Sequence, residues 1–225
     1  SFDVVSDSAS NIRALTGIFG DSDIQWSSKV NSVRITDTGS ISADDFNTLR
    51  RLSSDRLDLS GRASISGDLN AEAAQSARGH GASAYTVSDN AANVLRYVDG
   101  ATANNLRNVN INDNLIDISD YKKVRDVAKG NLHFTGDSVS VSGNLDIDTA
   151  MLVKASGAKT YNVVDTADRI FSHSNDDYLK SATSVNIASD SNGLLQKLSI
   201  ANLKALENLK IDFQSMNYRI EDSSE

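Results

Sequence analysis

The sequence predicts an α/β protein in which short parallel strands alternate with helices and stack as a repeat solenoid of leucine-rich-repeat-like architecture. Three observations carry this expectation. One block of residues returns along the chain in recognisable form. Each return joins an alternating apolar strand to a helical apolar stripe. The 225 residues contain no proline, where average usage would give roughly 11. Long-period self-similarity marks units that bury their apolar faces only by stacking on one another. Without proline, every backbone N–H remains available to a sheet ladder.

The block first appears as Val5-Ser6-Asp7-Ser8-Ala9-Ser10-Asn11-Ile12. It returns as Tyr85-Thr86-Val87-Ser88-Asp89-Asn90-Ala91-Ala92-Asn93-Val94 and as Tyr161-Asn162-Val163-Val164-Asp165-Thr166-Ala167-Asp168-Arg169-Ile170. It begins once more at Tyr218-Arg219-Ile220-Glu221-Asp222. Side chains alternate across a strand, so Tyr85, Val87 and Asp89 share one face. Asp89 then stands where a helix N-cap belongs, and Ala91, Val94, Leu95 and Val98 form the apolar stripe behind it. Asp165 likewise heads a helix carrying Ile170 and Phe171. Asp7, Asp89 and Asp165 are therefore expected to be structural caps.

Each copy continues with a second strand: Val33-Arg34-Ile35, Val109-Asn110-Ile111 and Val185-Asn186-Ile187. Helical segments open next, at Ile41-Ser42, Ile118-Ser119 and Ser199-Ile200. Ser42-Ala43-Asp44-Asp45 has capping-box form, with Phe46, Leu49 and Leu52 as the positions to bury. A third strand follows: Leu57-Asp58-Leu59, Leu132-His133-Phe134 and Ile211-Asp212-Phe213. Two copies extend it, as Ser64-Ile65-Ser66-Gly67-Asp68-Leu69 and Ser140-Val141-Ser142-Gly143-Asn144-Leu145. The third copy is expected to lack this extension. The domain reading is thus one solenoid over 1–225, with copies near 2–83, 84–158 and 159–215 and the start of another at 216–225. A doubly wound single sheet is the rival fold, and the internal repeat argues against it. The asparagine ladder and leucine spacing of leucine-rich repeats are absent, so the likeness is one of architecture.

The recurring Tyr-x-Val-x-Asp-[Ser/Thr/Asn]-Ala-x-[Asn/Arg]-[Ile/Val] block resembles a repeat of very long secreted bacterial proteins: giant adhesin-like, S-layer-like and RTX-associated proteins. The likeness covers the junctions at Asp7, Asp89 and Asp165. It implies an extracellular or cell-surface location in a bacterium, and a structural or adhesive role. The glycine-rich Ca²⁺ nonapeptide of RTX proteins is absent here.

Composition narrows the remaining classes. A net charge of −8 and a pI near 4.8 oppose nucleic acid and anionic membrane as partners. No apolar run is long enough to span a bilayer, so no membrane insertion is expected. The chain opens without Met, which suggests a piece of something longer, and no signal peptide is expected from its first residues. The absence of cysteine excludes disulfides and thiolate chemistry. Only Glu72, Glu207, Glu221 and Glu225 are glutamates among 30 acidic residues. Aspartate suits caps and turns, but it also supplies oxygen ligands for Ca²⁺. The candidate ligands are Asp21, Asp23, Asp146, Asp148, Asp176 and Asp177, and solvated turns explain the same residues.

His80, His133 and His173 stand too far apart in sequence for a metal-ligand motif, and neither a phosphate loop nor a nucleophile elbow occurs. His133 is expected to point outward from its strand, and His80, in Gly79-His80-Gly81, to lie in a turn at a helix end. Trp26 is expected in the core. No catalytic residues or cofactor are assigned, and an enzyme is not expected. The primary expectation is a structural or adhesive surface segment whose partners are further repeats or copies of itself. The alternatives are a horseshoe-type module for a cell-surface glycan or protein, and a phage virion or tail segment.

Overall fold

The computed structural model describes residues 2–19, 30–60, 62–188, 196–206, 209 and 218–220. It is a mixed α/β protein of short strands and helices in alternation, and among the described residues no sheet closes into a barrel. Among the described residues, every strand pair with a defined register is parallel. Trp26, Asp21, Asp23, Asp222 and the Ile211-Asp212-Phe213 element lie outside the described residues.

In chain order the first elements are β1 (Phe2–Asp7), α1 (Ala9–Phe19), β2 (Val30–Ile35), β3 (Ser40–Ser42) and α2 (Ala43–Leu52). Then come β4 (Leu57–Asp58), β5 (Ser64–Ser66), β6 (Asp68–Leu69), α3 (Ala71–Gly79), β7 (Tyr85–Asp89), α4 (Ala91–Tyr97) and β8 (Leu106–Ile111). The chain continues through β9 (Leu115–Asp117), α5 (Ile118–Val127), β10 (Leu132–Phe134), β11 (Ser140–Leu145), α6 (Ile147–Ala155) and β12 (Thr160–Asp165). It ends with α7 (Ala167–Ser172), α8 (Asp177–Lys180), β13 (Ser184–Ile187), β14 (Gln196–Leu198), α9 (Ile200–Leu206) and β15 (Tyr218–Ile220).

Two compact units divide the chain: Ser1–Asn112 with Lys123–His133, and Asp113–Lys122 with Phe134–Glu225. In the first, the sheets run β1-β2-β4, β3-β5 and β10-β8-β7-β6. Every second strand residue turns inward: Val33 and Ile35, Tyr85 and Val87, Val109 and Ile111 are all buried. Over them lie Phe46 and Leu49 of α2, Val94 of α4, and the alanine face Ala71, Ala74 and Ala77 of α3. Small side chains let that helix approach its strands closely. Leu52 and Leu95 are only half-buried, so these stripes are narrower than the sequence suggests.

In the second unit the sheets run β13-β12-β11-β9 and β14-β15. Tyr161, Val163, Val185 and Ile187 point inward beneath Ile147, Ala150 and Val153 of α6 and Ile170 of α7. Phe171 is half-buried. Gly143, at φ +99°, divides β11 between two neighbours. Ser140–Ser142 pair with β9, whereas Asn144 and Leu145 pair with β12. Gly67, at φ +85°, separates β5 from β6 in the same way.

Strand β15 pairs with β14, the strand that leads into α9. That is the relation of β5 to β3 and of β11 to β9. On pairing, Tyr218–Ile220 therefore takes the place of the extension expected to be missing from the third copy, rather than that of β7 and β12. Its likeness to the Tyr85 and Tyr161 blocks lies in residue type, and strand pairing places it elsewhere.

Candidate functional site

The recurring aspartates sit one residue earlier than N-caps. Strand geometry runs through Asp89 and Asp165, and the extended residue whose carbonyl starts the helix is the next one. Asn90 (φ −73°, ψ 157°) caps α4, and Thr166 (φ −64°, ψ 153°) caps α7. The Asn90 side chain accepts the Asn93 N–H at 2.8 Å. In the first copy Ser8 holds this position, its hydroxyl accepting the Asn11 N–H at 3.2 Å. Expecting caps at Asp7, Asp89 and Asp165 is thus corrected by one position, because Asp and the Asn, Thr or Ser after it are all cap-forming types.

The aspartates do something else. Asp89 Oδ1 accepts the Asn90 N–H and the Asn93 side-chain amide, both at 2.8 Å. Its Oδ2 accepts the Ala71 N–H at 3.0 Å, from the first residue of the preceding helix. Asp165 repeats the arrangement: Oδ1 takes the Thr166 N–H at 2.7 Å, and Oδ2 the Ile147 N–H at 2.9 Å. Asp37, just beyond β2, takes the Ala9 N–H of α1 at 2.6 Å. A first-turn helix amide has no partner inside its own helix. Here the carboxylate at the end of the next strand supplies one and ties that helix to that strand. Burial opposes the charge on Asp89, but the amides of Ala71, Asn93 and Asn90 outweigh it and hold the carboxyl below its usual range.

Asp7 has half of this arrangement. Its Oδ1 accepts the Ser8 N–H at 2.7 Å and the Asn11 side-chain amide at 2.8 Å. Those two bonds, Asn11 foremost, lower its pKa. Among the described residues nothing donates to its Oδ2. The ninth place of the block, Asn11, Asn93 or Arg169, is the fourth residue after Asp7, Asp89 and Asp165, and in these three copies it faces that carboxylate. The block's tyrosines anchor the same junctions. Tyr85 donates to the Thr102 carbonyl at 2.7 Å and Tyr161 to the Tyr178 carbonyl at 2.5 Å, and burial pushes both phenols up to about 12.

The remaining candidate Ca²⁺ ligands are engaged with protein donors or dispersed. Asp146 is the N-cap of α6 and accepts the Thr149 N–H at 2.7 Å. Asp148 pairs with Arg169 at 2.7 Å. Asp176 accepts from His173 Nδ1 at 2.7 Å and from the Tyr178 hydroxyl at 3.0 Å, and those bonds, His173 foremost, lower its pKa. Asp177 lies in the first turn of α8. Among the described residues, no three His, Cys, Asp or Glu side chains converge as a metal would need.

Two features escaped the sequence. The His173-Asp176-Tyr178 trio is a hydrogen-bonded surface cluster, legible only as a His with Asp and Tyr close behind. The other is an open polar groove in the first unit, lined by Asn31, Arg50, Asp55, Arg56, Gln75 and His80 among others. His80 closes α3, as expected of a turn before Gly81 at φ +84°. Its Nδ1 donates to the Leu57 carbonyl at 2.8 Å, which leaves Nε2 facing Asp55 at 3.8 Å. Arg56 donates to the Val30 carbonyl at 2.6 Å. His133 is exposed on its strand, as expected. Compared with known proteins, the chain matches no family model, no curated protein and no solved structure.

Proposed function

We propose that the chain is a structural segment of a secreted bacterial surface protein, adhesin-like or S-layer-like, built as a solenoid of strand–helix units. The observation behind this reading is the carboxylate latch, which recurs with the same atoms at Asp89 and Asp165. Each latch joins one unit to the next, so adding units extends the protein without a new core design. The outward strand faces support a presenting surface. They carry short polar contacts such as Arg34–Asp58 at 2.9 Å and Ser184–Asn162 at 2.9 Å. The residue resemblance and the aspartate-rich composition point the same way. Further repeats or copies of the chain are the partners, and Ca²⁺ enters only as a modulator of their association.

The test is sedimentation velocity over a concentration series, with and without Ca²⁺. Growth into longer species with rising concentration is expected. Growth only with Ca²⁺ would reassign the aspartates from latches to ligands, and a strict monomer under both conditions overturns end-to-end assembly. A second reading, recognition of a cell-surface glycan or protein, has the open groove around Arg50, Gln75 and His80 in its favour. Glycan binding that disappears in Gln75→Ala would select it.

A further inference from the structure

β1 is the counterpart of β7 and β12 in the recurring block, yet its surroundings differ on one side. β7 lies between β6 and β8, and β12 between β11 and β13, whereas β1 is the edge of β1-β2-β4. Among the described residues, the flank that β6 and β11 cover in the other two copies carries no strand at β1. Exposure follows residue by residue. Val87 and Val163 are fully buried, but Val5 is only half-buried. Asp165 is buried and Asp89 half-buried, but Asp7 is exposed. Val4 is 46% exposed, an apolar residue where Thr86 and Asn162 stand in the other copies. The Oδ2 atom that takes a helix amide in Asp89 and Asp165 has no donor at Asp7 among the described residues.

We infer that the outer edge of β1 is a docking seam for one kind of partner: a parallel strand followed directly by an N-capped helix, of the β6–α3 and β11–α6 type. The two filled seams specify the fit. Leu69 stands opposite Val87 and Leu145 opposite Val163, so the incoming strand places a leucine opposite Val5. An Asn or Asp follows as N-cap, as Asn70 and Asp146 do. The next residue donates its N–H to Asp7 Oδ2. Strand pairing satisfies backbone groups that an edge leaves open, the leucine covers Val5, and the helix amide neutralises part of the Asp7 charge. The inference deepens the scaffold reading and rests on it only in taking the partner to be a unit of the same kind.

The experiment supplies such a unit in place. Residues 138–159 are joined ahead of Phe2, replacing Ser1, so that the grafted leucine and helix stand in the register of Leu145 and Ile147 before β12. Amide hydrogen exchange is then compared between graft and parent. Exchange across Val4–Asp7 is expected to slow by about tenfold or more, as for an edge strand that becomes internal. Asp7→Asn in the graft, which turns Oδ2 into a donor, removes most of that protection. The same change leaves exchange of the parent's β1 nearly unaltered. Unchanged protection of β12 reports that the rest of the protein is folded. A second graft, residues 62–83, repeats the test with the other natural unit. Unchanged β1 exchange in a folded graft of either kind overturns the seam. Such an outcome is separable from failed assembly: a monomer in sedimentation with a protected graft removes self-association and leaves the seam.

Discussion

The first amide of α3 and that of α6 point out of their helices with no internal acceptor, and Ala71 and Ile147 are both buried. A carboxylate oxygen from the following strand reaches each, and its removal strands a donor away from water. Asp89→Asn keeps the side-chain shape and the oxygen that serves Asn90 and Asn93, but sets an NH₂ group against the Ala71 N–H. A loss of about 1 kcal/mol is expected, the low end for a buried unpaired amide because Asp89 itself is half-exposed. Asp7→Asn is expected to cost markedly less, since its second oxygen has no donor to lose among the described residues. Urea denaturation of the two variants compares them directly, and equal losses would mean that the latch contributes nothing. The recurrence of these aspartates was legible in the sequence. Their role was not, because the deciding partner lies 18 residues upstream and is found only through strand pairing.

At the scale of elements, the glycine inside β11 decides which strands meet. A strand that leaves β9 and joins β12 within six residues must turn sharply, and only glycine takes φ near +100° at low cost. A Cβ at Gly143 would also lie 2.7 Å from Ile118 Cγ2, at the start of α5. Gly143→Ala should therefore lose about 1–3 kcal/mol through strain and overpacking together. Gly79→Ala is the control: Gly79 is the last residue of α3, at negative φ, with nothing within 4 Å of a new Cβ. It should gain about 0.4–1 kcal/mol by narrowing the unfolded ensemble. Thermal melts of the pair check the sign of each change. The Ser-x-Ser-Gly-[Asp/Asn]-Leu stretch was visible as a recurrence in the sequence, and the strand–helix alternation around it was correctly placed. Its function as a hand-over between neighbouring strands was not legible, since period-2 patterning names the faces of a strand but not its partners. The same gap explains Tyr218–Ile220, whose tyrosine and isoleucine resemble one strand while its pairing matches another.

Across the whole molecule, two electrostatic effects oppose each other as pH falls. Net charge is −8 at pH 7 and vanishes near pH 4.8, so titration towards that point relieves self-repulsion and adds stability. Against it stand Asp7, Asp58, Asp89, Asp99, Asp117, Asp146 and Asp176, whose carboxyls are all held below the usual range. The donors are backbone amides and neighbouring side chains: Thr102 at Asp99, Ser119 at Asp117, and Arg34 at Asp58 working against burial. A carboxyl whose folded pKa is depressed adds stability above its unfolded pKa of about 3.9, and that stability is lost as pH falls through the folded value. The two effects therefore separate in pH. Urea midpoints should hold steady or rise slightly from pH 7 to about 5, then fall steeply below about 4. Salt distinguishes them further. The shallow rise belongs to charges spread over the surface and should flatten near 1 M salt, where the screening length is about 3 Å. The acid loss belongs to direct hydrogen bonds and should persist. Below about pH 4.8 the net charge turns positive and repulsion no longer falls, so midpoints that failed to drop below about pH 4 would show that the aspartate junctions contribute little. The Asp89 latch could not then be what holds its two strand–helix elements together.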